Sequence, residues 1–253
     1  MLSLLVLHYL HAAIVEKPIE YKEGNTTLEG YLVYDYTKSG KMPGVIVVHA
    51  WMGLNDYAKS RAKQLAEMGY VAFAADIYGK GVFPKDTKEA SDLSSKYKSD
   101  VALLRKRVQA ALKTLKAQKN VDSSNTAAIG YCFGGTTVLE LARSGADVKG
   151  VVSFHGGLST PNSKDAKKIK SKVLVLHGAI DPYVKPEEVA SFQQEMNDAS
   201  VDYQFVAYSG AVHSFTEPAA GKNVKSGAAY NEKADKRSFE AMKSFFAEIF
   251  SKK

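Results

Sequence analysis

Hydrophobic residues in this chain fall into two kinds of run. Near the start, Ile19-Glu20-Tyr21 and Leu28-Glu29-Gly30-Tyr31-Leu32-Val33 are strand candidates separated by the turn signal Glu23-Gly24-Asn25. That pattern predicts an antiparallel hairpin at one edge of a sheet. Further on, Val45–Val48, Val71–Ala75, Ala127–Ile129, Val151–Phe154 and Val173–Leu176 are apolar at consecutive positions, and Tyr203–Val206 adds another strand candidate. Strands apolar on both sides belong between two helix layers, as in parallel sheets.

Helical periodicity lies between these runs. Val101, Leu104, Val108, Ala111, Leu112 and Leu115 recur at three- and four-residue steps and draw one apolar stripe. Ala58, Ala62, Leu65 and Ala66 repeat the pattern behind an expected N-cap at Asp56. Pro186-Glu187-Glu188 is a helix start, with Val189, Phe192 and Met196 facing inward. Near the C-terminus, Phe239, Met242, Phe245, Phe246 and Ile249 form an apolar face that should dock on the sheet. The alternation predicts an α/β fold: a mostly parallel sheet covered by helices on both faces, with the hairpin at its N-terminal edge. With no repeat or linker, residues 14–253 read as a single domain. Two stretches, 79–99 and 215–234, fit neither period and read as excursions that border an active site or as plain surface loops.

At 253 residues, 45% hydrophobic and 24% charged, the chain has ample length to bury such a sheet. The net charge of +7 raises the question of nucleic acid, but the lysines are scattered and often stand beside acids, as in Lys85-Asp86-Thr87-Lys88-Glu89. A solvated basic face is the better reading, and no nucleic-acid partner is expected. The first residues, Met1-Leu2-Ser3-Leu4-Leu5-Val6-Leu7, are apolar but too few to span a bilayer, so no stable membrane insertion is expected. With Ala12 and Ala13 following, residues 1–13 read as a signal peptide or an N-terminal extension, although no Lys or Arg precedes the apolar run. A cleaved Met1–Ala12 would place the protein in the periplasm or outside the cell, an uncleaved one in the cytoplasm. A monomer or small homo-oligomer is expected.

Candidate chemistry centres on Gly130-Tyr131-Cys132-Phe133-Gly134-Gly135. An apolar run leads into it and a helical segment leaves it, the strand–turn–helix setting in which Gly-x-Ser-x-Gly presents a nucleophile, here with sulfur for oxygen. Cys132 is the only cysteine, so no intramolecular disulfide accounts for it. Asp181 follows the strand Val173–Leu176, and His213 follows Tyr203–Val206. Nucleophile, acid and histidine, each just past a parallel strand, is the chain order of α/β-hydrolases and brings three distant residues to one sheet edge. His49, His155 and His177 also end apolar runs and read as structural hydrogen-bond partners, since no paired spacing points to a metal. Tyr78, Tyr131, Phe154, Tyr183 and Phe215, with Trp51, are candidates to line a substrate pocket or to belong to the core.

Five segments in register resemble the dienelactone hydrolase family: His49–Asn55, Gly69–Gly79, the Cys132 hexapeptide, the Asp181 loop and His213-Ser214-Phe215. The resemblance implies an α/β-hydrolase fold and a cofactor-free ester or lactone hydrolase with a small-molecule substrate. Cys132 would be nucleophile, His213 base, Asp181 its orienting acid, and the backbone N–H groups of Phe133 and Trp51 the oxyanion donors. Two positions depart from the family pattern. Ala50 stands where dienelactone-cleaving members carry a glutamate that contacts the resting thiol, which makes a preformed Cys132–His213 ion pair the simpler activation. Glu217 stands where they carry an arginine for the substrate carboxylate, so dienelactone itself is not the expected substrate. A non-catalytic binding protein retaining the elbow is the alternative. A redox thiol would need a resolving cysteine from a partner.

Overall fold

The computed structural model describes residues 13–251. The apolar run read as a signal peptide or extension lies, through residue 12, outside them.

Eight strands form one sheet: β1 (Ile14–Glu23), β2 (Thr26–Asp35), β3 (Met42–Val48), β4 (Val71–Ala75), β5 (Val121–Tyr131), β6 (Gly150–Phe154), β7 (Lys172–Gly178) and β8 (Tyr203–Tyr208). Their order across the sheet is β1-β2-β4-β3-β5-β6-β7-β8. The expected hairpin is β1 with β2, at the sheet's edge; β2 is also antiparallel to β4, and every later pairing is parallel. Chain order reverses between β3 and β5. The carboxyl ends of these two strands are the natural place for a crevice.

Among the described residues six α-helices cover the sheet: α1 (Asp56–Glu67), α2 (Thr87–Ser99), α3 (Val101–Lys116), α4 (Phe133–Arg143), α5 (Pro186–Asp198) and α6 (Glu232–Ile249). The pleat sends alternate residues of each inner strand to opposite faces. Ile46 and Val48 of β3 join one core with Leu104 and Val108 of α3 and Val138 and Leu141 of α4. Val45 and Val47 join a second core with Ala62 and Leu65 of α1 and Met242, Phe245 and Phe246 of α6. Each of the large α6 side chains contributes roughly 1.5–3 kcal/mol by leaving water.

Two local expectations are corrected. The α1 cap is Asn55, whose side chain accepts the Ala58 N–H at 3.2 Å, while Asp56 stands in the first turn, facing the positive end of the helix. The stretch 79–99 holds a full helix, α2, capped by Asp86 on the Glu89 N–H at 2.8 Å. Its buried side is only Ala90, Ser94 and Tyr97, too polar a stripe for periodicity to reveal. The stretch 215–234 is irregular as expected, with two short 3-10 turns before α6 begins.

Candidate active site

The turn that carries Cys132, the candidate nucleophile, is built by crowding. Cys132 lies between β5 and α4 at φ +55°, a conformation that a non-glycine residue holds only when its surroundings impose it. A Cβ on Gly130 would come within 2.0 Å of the Gly134 carbonyl oxygen, and one on Gly134 within 2.3 Å of the Val48 carbonyl oxygen. Glycine at both positions therefore lets the strand, the turn and helix α4 close around the sulfur.

Side chains and amides from four strand ends converge on that sulfur. His213 follows β8 and places Nδ1 2.8 Å from Asp181 Oδ2, which leaves its other ring nitrogen for Cys132. Asp181 follows β7, is buried, and accepts the Tyr183 N–H on its second oxygen at 2.8 Å. Burial would raise the Cys132 thiol. The positive His213 ring, its hydrogen bond to the sulfur, and the Phe133 and Trp51 backbone N–H groups outweigh burial and hold the thiol below its ordinary value. Burial likewise works against the His213 imidazolium, yet the Cys132 thiolate and the Asp181 hydrogen bond lift it to about 10. Both shifts come from the same Cys132–His213 contact and favour a thiolate–imidazolium pair.

Two buried histidines brace this geometry through hydrogen bonds. The Cys132 N–H donates to His155 Nδ1 at 3.1 Å as well as to the Phe154 carbonyl at 3.0 Å. An accepting Nδ1 places the His155 proton on Nε2, which faces the Thr216 hydroxyl at 2.8 Å. Burial, reinforced by the neighbouring His213 charge, keeps His155 far below its ordinary pKa and neutral. Burial alone lowers the His49 imidazole below its ordinary pKa; the ring joins the Ala50 carbonyl (2.7 Å) to the Ile77 N–H (3.3 Å) and so ties the loop after β3 to the loop after β4. His177 departs from the expectation of a structural hydrogen bond. Among the described residues its Nδ1 finds no partner, and its ring packs on Phe205 at 5.4 Å.

The sulfur opens into a cavity of about 990 Å³. Both excursions contribute walls: Thr87, Ser91 and Lys98 from α2, and Glu217, Ala219 and Ala228 from the segment before α6. That segment also clasps the histidine. The His213 N–H donates to Gly227 O at 3.1 Å, and the Ala229 N–H donates to His213 O at 3.0 Å. Of the pocket candidates, Trp51 and Tyr183 line the cavity. Tyr131, Phe154 and Phe215 do not; they are 0–1% exposed and fill the core beneath α1 and α6. Tyr78 is buried too, and braces the loop from behind by donating its hydroxyl to the Trp51 carbonyl at 3.0 Å.

A buried ion network under α4 escaped the sequence reading. Arg143, wholly buried, meets Glu195 of α5 at 2.7 and 2.8 Å, Glu140 at 2.9 Å and the Leu158 carbonyl at 2.8 Å. Arg105 of α3 joins the other Glu140 oxygen to Asp165. Arginines on an otherwise apolar helix face were the one available signal. Among the described residues, no group of three or more His, Cys, Asp or Glu side chains could hold a metal ion, and no helix is long and apolar enough to cross a membrane.

Comparison with known proteins finds similar sequences and similar folds. A sequence model described as the dienelactone hydrolase family matches residues 28–250. A solved structure named m3DLH superposes with a TM-score of 0.91 at 44% identity, over 94% of this chain and all (100%) of that one. A second, described as a dienelactone hydrolase-like promiscuous phosphotriesterase from metagenomic libraries, gives 0.90 at 44% identity over 94% and 99%. A Bradyrhizobium sp protein named a probable 2-oxo-3-(5-oxofuran-2-ylidene)propanoate lactonase is 30% identical over 71% of this chain and 75% of its own length.

Proposed function

The chain belongs to the dienelactone hydrolase family, a family of lactone and ester hydrolases, and from that premise we propose that it cleaves small neutral carboxylic esters or lactones through a Cys132 thioester. One observation carries the reading: Cys132, His213, Phe133 and Trp51 line one cavity, and Asp181 accepts a hydrogen bond from His213 Nδ1 behind them.

The Cys132 thiolate attacks the carbonyl carbon, and the carbonyl oxygen, now negative, takes hydrogen bonds from the Phe133 and Trp51 N–H groups. Collapse of the tetrahedral adduct breaks the C–O bond, and His213 gives its proton to the departing alkoxide. In a lactone that alkoxide stays tethered to the acyl group. His213, neutral for this step and oriented by Asp181, then takes a proton from water as the water attacks the thioester. The thiolate leaves, the carboxylic acid product departs, and the ion pair is restored. Ala50 supports an ion pair formed before substrate arrives, because it puts no carboxyl group against the sulfur.

The test is a panel of short-chain aryl esters and lactones with mass-spectrometric trapping of the acyl adduct. The phosphotriesterase description of one similar structure adds a neutral phosphotriester to the panel. Cys132→Ala is expected to lower kcat/KM by on the order of 10⁴-fold and to abolish the adduct. Unchanged turnover in that variant, or an adduct on another residue, overturns the reading in favour of a binding protein that kept the elbow.

A further inference from the structure

The charged groups lining the cavity are unequal. The Glu140 carboxylate is taken up by Arg105 and Arg143 at 2.7 and 2.9 Å. Glu188 accepts the backbone N–H groups of Leu158 at 2.6 Å and Ser159 at 2.9 Å. Lys98 is exposed in the last turn of α2. Glu217 is different. It is half-buried in the wall shared with Cys132 and His213, and among the described residues no N–H or O–H donates to its carboxylate.

Its placement is dictated by backbone. Ser214, at φ +54°, starts a turn in which the Glu217 N–H returns to the Ser214 carbonyl at 3.0 Å, so the carboxylate stands one turn beyond His213. Burial pushes the Glu217 carboxyl up, and the positive His213 ring opposes that shift. A half-buried carboxylate that faces the cavity without a protein donor is free to pair with a donor or a positive charge that a ligand brings. We propose that Glu217 is the substrate-recognition group of this cavity: it binds an ammonium or quaternary ammonium group on the substrate and turns anionic substrates away. The assignment rests on Cys132 being the reactive atom of the cavity, as proposed above.

The experiment reads charge selection at Cys132 without requiring turnover. Trimethylammonioethyl, sulfonatoethyl and methyl methanethiosulfonates each transfer their thioalkyl group to a thiolate. The Cys132 sulfur bonds to the divalent sulfur, the S–S bond of the reagent breaks, and methanesulfinate leaves with the electron pair. Because Cys132 is the only thiol, the rates belong to this site. Relative to 2-mercaptoethanol, the cation-to-anion rate ratio is expected to be on the order of 10-fold higher. Glu217→Gln should bring it to within about 3-fold of the free thiol, and Glu217→Lys should invert it. Glu187→Gln, which removes an exposed carboxylate of α5 outside the cavity, should keep the native ratio. A native ratio equal to that of the free thiol, or one that survives Glu217→Gln, overturns the proposal.

A matched set of esters ending in trimethylammonium, tert-butyl or carboxylate extends the same comparison to kcat/KM. No ester turnover with the thiol ratio intact removes the hydrolase reading and leaves the role of Glu217 standing. Turnover without charge discrimination does the reverse.

Discussion

Two imidazoles lie face to edge, with ring centroids 5.2 Å apart, and their surroundings favour opposite protonation states. His213 is charged because a thiolate and a carboxylate flank it; His155 is neutral because it is buried and must accept the Cys132 N–H. Cys132 and His213 titrate as a pair, so activity reports the two together. The thiolate is present above a limb displaced below the ordinary thiol range, and His213 keeps its proton until the pH passes about 10. For a neutral ester, kcat/KM should therefore plateau between these limits and fall through about pH 10, in a profile recorded by stopped-flow or plate assay. A single rise at the ordinary thiol value, with no alkaline limb, would contradict the ion pair. Asp181→Asn removes charge from the imidazolium's partner, and should move the alkaline limb to lower pH as kcat falls. His155→Phe keeps the ring packed against Phe215 but deletes both of its hydrogen bonds. It should lower stability by about 1–3 kcal/mol in urea titrations and reduce kcat more than KM, because the elbow loosens while the cavity stays.

Helix α4 joins the site to the scaffold. Its first turn carries the Phe133 N–H, and its last turn carries Arg143, clamped to α5 and to the Leu158 segment. Breaking such a buried pair leaves an uncompensated carboxylate, so Arg143→Ala should cost about 3–5 kcal/mol, read as a shifted urea midpoint. Replacing the whole Arg143, Glu140 and Glu195 set with apolar residues of similar size should cost far less, which separates charge burial from packing. Strand β5 meets α4 through Gly130, where even a methyl group collides with the Gly134 carbonyl. Gly130→Ala should reposition the sulfur, and the loss of thiol reactivity towards a neutral alkylating reagent should exceed the loss of stability. These helix-level couplings were only partly legible. The α4 pattern, the glycines and the Glu140–Arg143 spacing of three stand in the sequence, whereas the other partners of Arg143 come from α5 and from the loop before Ser159, and no spacing along the chain relates them.

Across the sheet, the reversal of strand order between β3 and β5 puts the Trp51 loop beside the Cys132 elbow, with β6, β7 and β8 fanning outward to deliver His155, Asp181 and His213. Helix α2 and the 215–234 segment then roof the same edge and shape a cavity at the upper end of typical ligand-site size. A cavity this large should accept acyl chains well beyond acetate. Ser91→Trp, on the exposed side of α2, is expected to raise KM for octanoyl esters more than for acetyl esters, in steady-state kinetics. Equal effects on both would place the acyl chain elsewhere.

The parallel core, the edge hairpin and the positions of Cys132, Asp181 and His213 were written in the order of residues, because strand hydrophobicity, helical period and the glycine-flanked turn are local signals. Which aromatics line the cavity was not. Tyr131 and Phe154 are strand residues whose side is chosen by the pleat and by what packs above it, and they went to the core under α1 and α6. Tyr183 reached the cavity from a loop. The same holds for α2, too polar to announce itself, and for Glu217, whose lack of a partner exists only once every neighbouring donor has been placed. Burial and pairing are properties of neighbours distant along the chain, so they are decided only when the tertiary structure brings those neighbours together.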